Sequence, residues 1–507
     1  HRKEIPVMKR FISLILALLL AAFTLVSCAD KPDGTDDVTT TADAAAASSD
    51  TPESEAVTNG LPPELSYKGE TIVFVSRDSD FVRDEVSVEE NDGDIIHAAI
   101  AKRNADMEER FGIIIKNEKL TGDNYVVTNA VKKALNTNLH TYDIVANSCY
   151  STIMSTGDGI LYNLEKLKYL DLTAPYWSQG FNDAASIGKG QYMCTGAASL
   201  ALYRLMFVTF FNRDLLTTWG EKSLFDVVND GEWTLDYQIR LGKQYYSDND
   251  GSSSVTKGDT VGMISSTLSY IDPYWSSCKN PILTKTDDNW YDYSIDVDRL
   301  STTLRKVTEL FYDANSYIVT SGSDSERLNE IGQMFAGGTA ATATLRLCAS
   351  ETEYLRDMKD KYGVIPCPKL DKDQDDYYTF LHDQFTAFGI CRPVDEERAE
   401  MLGAVLEYMA WSSYINVVPV YYNVALKSKY MQDSASWEML DKIYSGIYID
   451  AGVLYTKVLS SVHQLPRKIV TDQVDTTASR FKQMKAPVEA SLKRLQESIR
   501  ALQEAGS

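Results

Sequence analysis

Apolar and polar positions alternate with several distinct periods along this chain. Residues Phe11 to Leu25 form an apolar run, interrupted only by Ser13 and Thr24, behind the basic stretch Met8-Lys9-Arg10. At about fifteen residues it is shorter than the roughly 20 needed to cross a bilayer, and it fits the core of a signal peptide. From Ala29 to about Pro63 large apolar residues almost vanish, so no core can form there and the segment is expected to stay disordered. Next comes Glu70-Thr-Ile-Val-Phe-Val75, a β-branched and aromatic run that predicts a buried strand ending in a polar loop. Asp94 to Phe111 has helical spacing, with Ile95, Ile96, Ala99, Ile100 and Met107 on its apolar positions. Gly112 to Ile115 predicts a strand, Tyr125 to Leu135 an amphipathic helix, and Tyr142 to Ala146 a third strand. Strand, helix, strand, helix, strand is the doubly wound α/β order, in which ligands sit beyond the carboxyl ends of parallel strands.

Further along, Val208 to Asn212 predicts a strand, Trp233 to Leu241 a helix capped by Thr234, and Ser325 to Phe335 another helix. Ala340 to Leu347 and Tyr362 to Pro366 read as strands, and Glu396 to Met409 and Thr476 to Ala501 as helices. No internal repeat is found.

The apolar run ends in Leu25-Val26-Ser27-Cys28, a small residue before a cysteine, as in a lipobox. Residues 1–27 are therefore expected to be a lipoprotein signal peptide, with Met8 as the true start. Cys28 is the expected lipidation site, and residues 28–65 an acidic tether that lets a folded domain stand off the membrane. Residues 66–507 suffice for two lobes with sizeable cores. A net charge of −22 argues against nucleic acid or anionic lipid as partner. Cys149, Cys194, Cys278, Cys348, Cys367 and Cys391 are scattered without metal spacing and read as buried hydrophobes. No nucleophile elbow, zinc-helix or phosphate-loop motif occurs, and His numbers only five, so no enzyme is expected.

Four segments, in order, carry a resemblance: Phe210-Phe-Asn-Arg-Asp-Leu-Leu216, Gly231-Glu-Trp-Thr-Leu-Asp236, Met334-Phe-Ala-Gly-Gly-Thr-Ala-Ala341 and Tyr362-Gly-Val-Ile-Pro-Cys-Pro368. Over residues 70 to about 425 the chain resembles the family 1 extracellular solute-binding proteins, the group that includes maltose-binding protein. The resemblance fades after Tyr430, and the aromatic insert Tyr270 to Tyr293 is not general to that family. It implies an α/β, two-lobe type II periplasmic-binding fold, with crossovers near Tyr203–Val208, Pro366–Lys369 and Ser412–Tyr422. Residues 66–206 and 369–412 would form lobe I, and residues 207–368 and 423–507 lobe II. It also implies a monomeric capture subunit of an ABC importer, outside the cell, that hands a small solute to permease subunits. Aromatic content, with 30 Tyr and 7 Trp, points to a sugar. Rival readings are a lipoprotein enzyme acting on carbohydrates and a glycan-tethering surface module.

Candidate ligand residues follow from loop position and from the resemblance. Arg77 and Asp78 follow the first strand, and Ser148 and Tyr150 follow the third. His382 and Asp383 precede the strand expected to close lobe I, and Arg346 lies where the family often places an aromatic contact. Tyr274 and Trp275 stand beside Pro273 in a polar stretch and are candidate stacking faces, while Tyr421 is a candidate from the third crossover. Each of the loop residues fits a solvated loop equally well. Trp233 reads as packing. Asp248, Asp250, Ser252 and Asp259 have the spacing of a calcium loop, but Ser252 and Ser253 replace the acidic and glycine positions. A structural calcium is thus the secondary reading and a plain surface loop the primary one; no other cofactor is expected.

Overall fold

The computed structural model describes residues 57–79, 84–88, 92–425 and 434–505. The apolar run, Cys28 and most of the tether lie outside the described residues.

Strand β1 (Thr71–Arg77) buries Ile72, Phe74 and Val75 completely. Helix α1 (Ile95–Phe111) starts where the Asp94 carboxylate accepts the Ile96 and His97 N–H groups at 2.7 and 3.3 Å. It stops at Gly112, whose φ of 69° only glycine adopts without strain. That residue, expected to open a strand, is the helix cap instead. Strand β2 runs from Ile114 to Leu120, longer than predicted, with exposed and half-buried positions alternating, as at a sheet edge. Helix α2 (Val126–Asn136) and strand β3 (Ile144–Ser148) follow.

The chain then enters a second sheet through β4 (Phe207–Asn212). Helix α3 (Leu235–Gln244) is capped by Thr234 and leads into β5 (Val261–Ser266). The approach is close: a Cβ on Gly262 would lie 2.4 Å from the Gly242 Cα. Short helix α4 (Asp272–Ser276) and the hairpin β6 (Leu283–Lys285) and β7 (Tyr291–Tyr293) come next. Then follow α5 (Val297–Tyr312), β8 (Tyr317–Val319), α6 (Asp324–Ala336), β9 (Ala340–Arg346) and β10 (Tyr362–Ile365). The chain returns through β11 (Thr386–Ile390) and α7 (Glu396–Ser412), and ends in α8 (Leu465–Asp472) and the 28-residue α9 (Thr477–Glu504).

One sheet has the order β11-β3-β1-β2 and the other β10-β4-β9-β5-β8. In the first, β1 runs parallel to β2 and β3, with Phe74 opposite Ile144, and β11 runs antiparallel to β3. In the second, β5 is parallel to β8 and β9, while β4 runs antiparallel to β9 and β10. Strands before residue 207 and after residue 385 therefore share one sheet, and those between residues 207 and 365 the other, apart from β6 and β7, which pair only with each other. Buried Asp143 accepts the Val73 N–H at 2.8 Å and two Arg398 nitrogens at 2.7 and 3.0 Å, fastening α7 to the first sheet. Trp233 is fully buried, with Nε1 donating to the Pro366 carbonyl at 3.0 Å. The tail departs from expectation. It packs on α5 of the second lobe, but α9 also reaches the first lobe, where the Ser498 hydroxyl donates to the Gly157 carbonyl at 2.7 Å.

Candidate functional site

Polar groups gather at the carboxyl ends of the parallel strands in both sheets. On the first sheet, beyond β1 and β3, lies a cavity of about 350 Å³ lined by Arg77, Asp78, Glu85, His97 and Lys119 among others. That is at the lower bound of ordinary small-molecule sites, about 300 Å³. Arg77 donates from Nη2 to the Ser79 hydroxyl at 2.8 Å, and burial lowers its pKa while Asp123 opposes the shift. His97 contacts Asp92 at 3.0 Å, and Lys119 pairs with Asp84. Glu85 lies deeper, accepting the Ala201 N–H at 2.9 Å and the Thr386 hydroxyl. Burial pushes its carboxyl up to about 7, against the pull of those hydrogen bonds.

On the second sheet, Arg346 at the end of β9 is buried and pairs with Asp324, the first residue of α6, at 2.6 Å. Burial acts to raise the Asp324 carboxyl, but Arg346 and His382 hold it below the usual range. Burial, then the Arg346 charge, push the His382 imidazole below its ordinary value. The next residue, Asp383, accepts the Tyr150 N–H on its main-chain oxygen at 2.9 Å, tying the entry of β11 to the exit of β3. Lys457 stands 5.4 Å from the centre of the Tyr150 ring. Arg467 of α8 donates from Nε to both oxygens of Asp272 at 2.9 and 3.0 Å, and its Nη2, which also donates to Asp272, lies 3.3 Å from His463 Nε2. Burial lowers His463 to about 4, although Asp272 favours its charged form. A narrow slot of about 30 Å³ runs between Tyr150, Asp383, Ser276 and the tail residues Tyr448 to Leu454. It has room for little more than water.

The structure thus brings Tyr150, Arg346, His382 and Asp383 into one polar region, and puts Arg77 and Asp78 in the first-sheet cavity. Ser148 is buried, its hydroxyl 3.1 Å from that of Ser151. Tyr274 and Trp275 are not stacking faces: both are interior residues of α4. The Tyr274 hydroxyl contacts Thr344 and Met263, and Trp275 is 1% exposed with Nε1 directed at Asp272. Tyr421 is likewise enclosed, its hydroxyl donating to Glu351 at 3.0 Å beside Arg204. In the candidate calcium loop, one carboxylate oxygen each of Asp248, Asp250 and Asp259 lie within 4.8 Å of one another. Their oxygens accept loop N–H groups of Asn249, Gly251, Ser252 and Thr256, and the Ser252 hydroxyl turns away to donate to the Ser254 carbonyl. Sequence reasoning missed Asp272, Asp324, His463 and Arg467. Asp324 follows Ser323 in a capping box, a helix-start signal that carries no hint of a site. His463 and Arg467 belong to the tail beyond the resemblance.

No protein-family model matches the chain, and no curated protein matches it. Solved structures do. The chain is similar to the cyclic α-maltosyl-1,6-maltose binding protein from Arthrobacter globiformis, with a TM-score of 0.55 at 13% identity over 84% of this chain and 99% of that one. It is similar to a family 1 extracellular solute-binding protein from Bifidobacterium longum subsp. infantis, with a TM-score of 0.52 at 12% identity over 84% and 100%. A cyclo/maltodextrin-binding protein complexed with maltotetraose gives 0.52 at 11% identity over 86% and 98%. These likenesses show the fold: the chain has the two-lobe α/β fold seen in those proteins. Among the described residues no helix is long and apolar enough to cross a membrane.

Proposed function

We propose that this chain captures a small carbohydrate between its lobes and delivers it to the permease of an ABC importer, anchored outside the cell by lipid on Cys28. One observation carries the reading: charged groups of both sheets act on one another, Arg467 feeling Asp272 and Asp324 of the second sheet together with Asp383 beside the first, and His382 feeling both Arg346 and Asp383. A solute touching both lobes stabilises their closed arrangement over an open one. The moving bodies in this proposal divide near residues 206–207 and 368–369. The carbohydrate class is supported by the named ligands of the similar structures, a cyclic maltosyl-maltose and maltotetraose, and by the aromatic content of the chain.

Thermal unfolding across a panel of mono- and oligosaccharides tests the proposal. A sugar present at 100 times its dissociation constant adds about 2.7 kcal/mol, a visible upward shift. A shift with one sugar class and no product formed supports capture. A flat panel sinks the carbohydrate assignment, and product formation sinks the non-enzymatic one. Mass spectrometry of the membrane-associated protein tests lipid on Cys28.

A further inference from the structure

We infer that the β6–β7 hairpin and helix α9 form a strap that bonds lobe I to lobe II away from the crossovers and holds the lobes closed without a solute. Both elements leave the second lobe: the hairpin lies in the chain between β5 and β8 of its sheet, and α9 packs on α5. The Tyr293 hydroxyl of β7 reaches the Phe481 carbonyl of α9 at 3.5 Å, and Asp475, just before α9, accepts the Ser301 hydroxyl of α5 at 2.6 Å. Asp450 fixes the start of the hairpin by accepting the Leu283 N–H at 3.4 Å.

Both elements then end on lobe I. The Gly188 N–H donates to the Asn289 carbonyl at 2.8 Å, and the Asn289 amide returns a bond to the Gly188 carbonyl at 3.0 Å. The Tyr291 hydroxyl donates to the Ala184 carbonyl at 2.9 Å. From α9, Gln503 donates to the Ile187 carbonyl at 2.9 Å and accepts the Lys189 N–H at 3.1 Å. Arg500 covers Trp290 at 4.2 Å, so hairpin and helix also brace each other. The joint is built for contact: at φ +59° a Cβ on Gly188 would lie 2.5 Å from the Trp290 ring, and one on Gly159 would lie 2.8 Å from Leu502.

The lobe I side of this joint is firm. Residues 160–162 pair with the end of β11 through the Tyr162 N–H to the Ile390 carbonyl and the Arg392 N–H to the Ile160 carbonyl, both at 2.9 Å. Helix α9 is about 42 Å long at 1.5 Å per residue, a rod seated on both lobes. Lobes joined by crossovers alone swing about them. Here an opening swing has to break the strap first. On the proposed solute-binding reading, uptake is then gated by strap release, and closure is supplied by the chain itself.

Two measurements without any solute test this on the full chain. Small-angle scattering compares the wild type with Trp290→Ala/Ser498→Asp/Gln503→Ala, three partly exposed positions. The expected result is a larger radius of gyration in the variant; equal radii overturn the strap. Hydrogen exchange on the unaltered protein guards against misfolding of the variant. The Gly188 and Lys189 amides are expected to be protected, and exchange at the rate of unstructured amides overturns the proposal. Both results are independent of the sugar panel, so a silent panel leaves the strap standing, and a failed strap leaves sugar capture standing.

Discussion

Arg467 and Asp272, 195 positions apart in the sequence, meet as a buried ion pair in which one guanidinium nitrogen donates to both carboxylate oxygens, at 2.9 and 3.0 Å. The Asp272 side chain is 1% exposed, so without Arg467 its carboxyl is left buried and without its strongest hydrogen-bonding partner. Removing one partner of such a pair costs about 3 kcal/mol. Arg467→Met should therefore lower stability in denaturant unfolding by that order, and Arg467→Met/Asp272→Leu should recover most of it. If the single variant unfolds at the wild-type midpoint, the pair is not buried as described.

Two carboxyls should make stability fall as pH rises. Burial raises Glu85 and Glu407 from about 4.5 to about 7, Glu407 being enclosed with the Tyr176 hydroxyl and Trp177 Nε1. Between those values the folded chain binds more protons than the unfolded one, so stability is full below about 4.5 and is lost as pH climbs through 7. Each shift corresponds to about 3 kcal/mol. His463 works the other way: lowered from 6.5 to about 4, it costs stability as pH falls through that window. Glu85→Gln should flatten the decline between about pH 4.5 and pH 7, read from unfolding midpoints across pH. An unchanged slope would show that Glu85 is solvated.

Trp275 shows where local sequence misleads. Its neighbours are polar and turn-forming, which suggested a surface ring, yet the fold encloses it beneath Asp272 and the tail. Trp275→Ala should thus cost about 3–5 kcal/mol of folding stability, as for other large core aromatics. Loss of sugar affinity with an unaltered melting temperature would instead return it to the site.

The elements legible in the sequence were those whose burial follows from their own pattern. Phe74 and Val75 on β1, the helical spacing of α1 from Asp94 onward and the Thr234 cap of α3 each declare themselves within a few residues, whereas Gly112 reads locally as strand and becomes the stop of α1 in the fold. Strand β5 did not, because Gly262 and Ser265-Ser266 break its apolar run; its burial comes from lying between β8 and β9. The same holds for the site. His382 and Asp383 were legible as a loop before a strand, and Arg346 as a strand end. Arg467 reaches Asp272 only through the tertiary path of the tail, for which no local spacing exists.

Asp383 offers the sharpest test of where the solute sits. It borders the inter-lobe slot, is only partly buried, and has the Gln384 amide at 3.1 Å as a side-chain donor, so its carboxylate keeps acceptor capacity for a hydroxyl. A hydrogen bond to an ionised carboxylate is about twice as strong as one to a neutral amide. Asp383→Asn keeps the shape, and its main-chain oxygen still receives the Tyr150 N–H. The variant should melt with the wild type while binding the sugar identified by the panel about tenfold more weakly, a loss of about 1.4 kcal/mol, measured by titration calorimetry. Full affinity in Asp383→Asn together with loss in Arg77→Ala would move the solute to the cavity beyond β1, where Arg77 and Asp78 would then be its contacts.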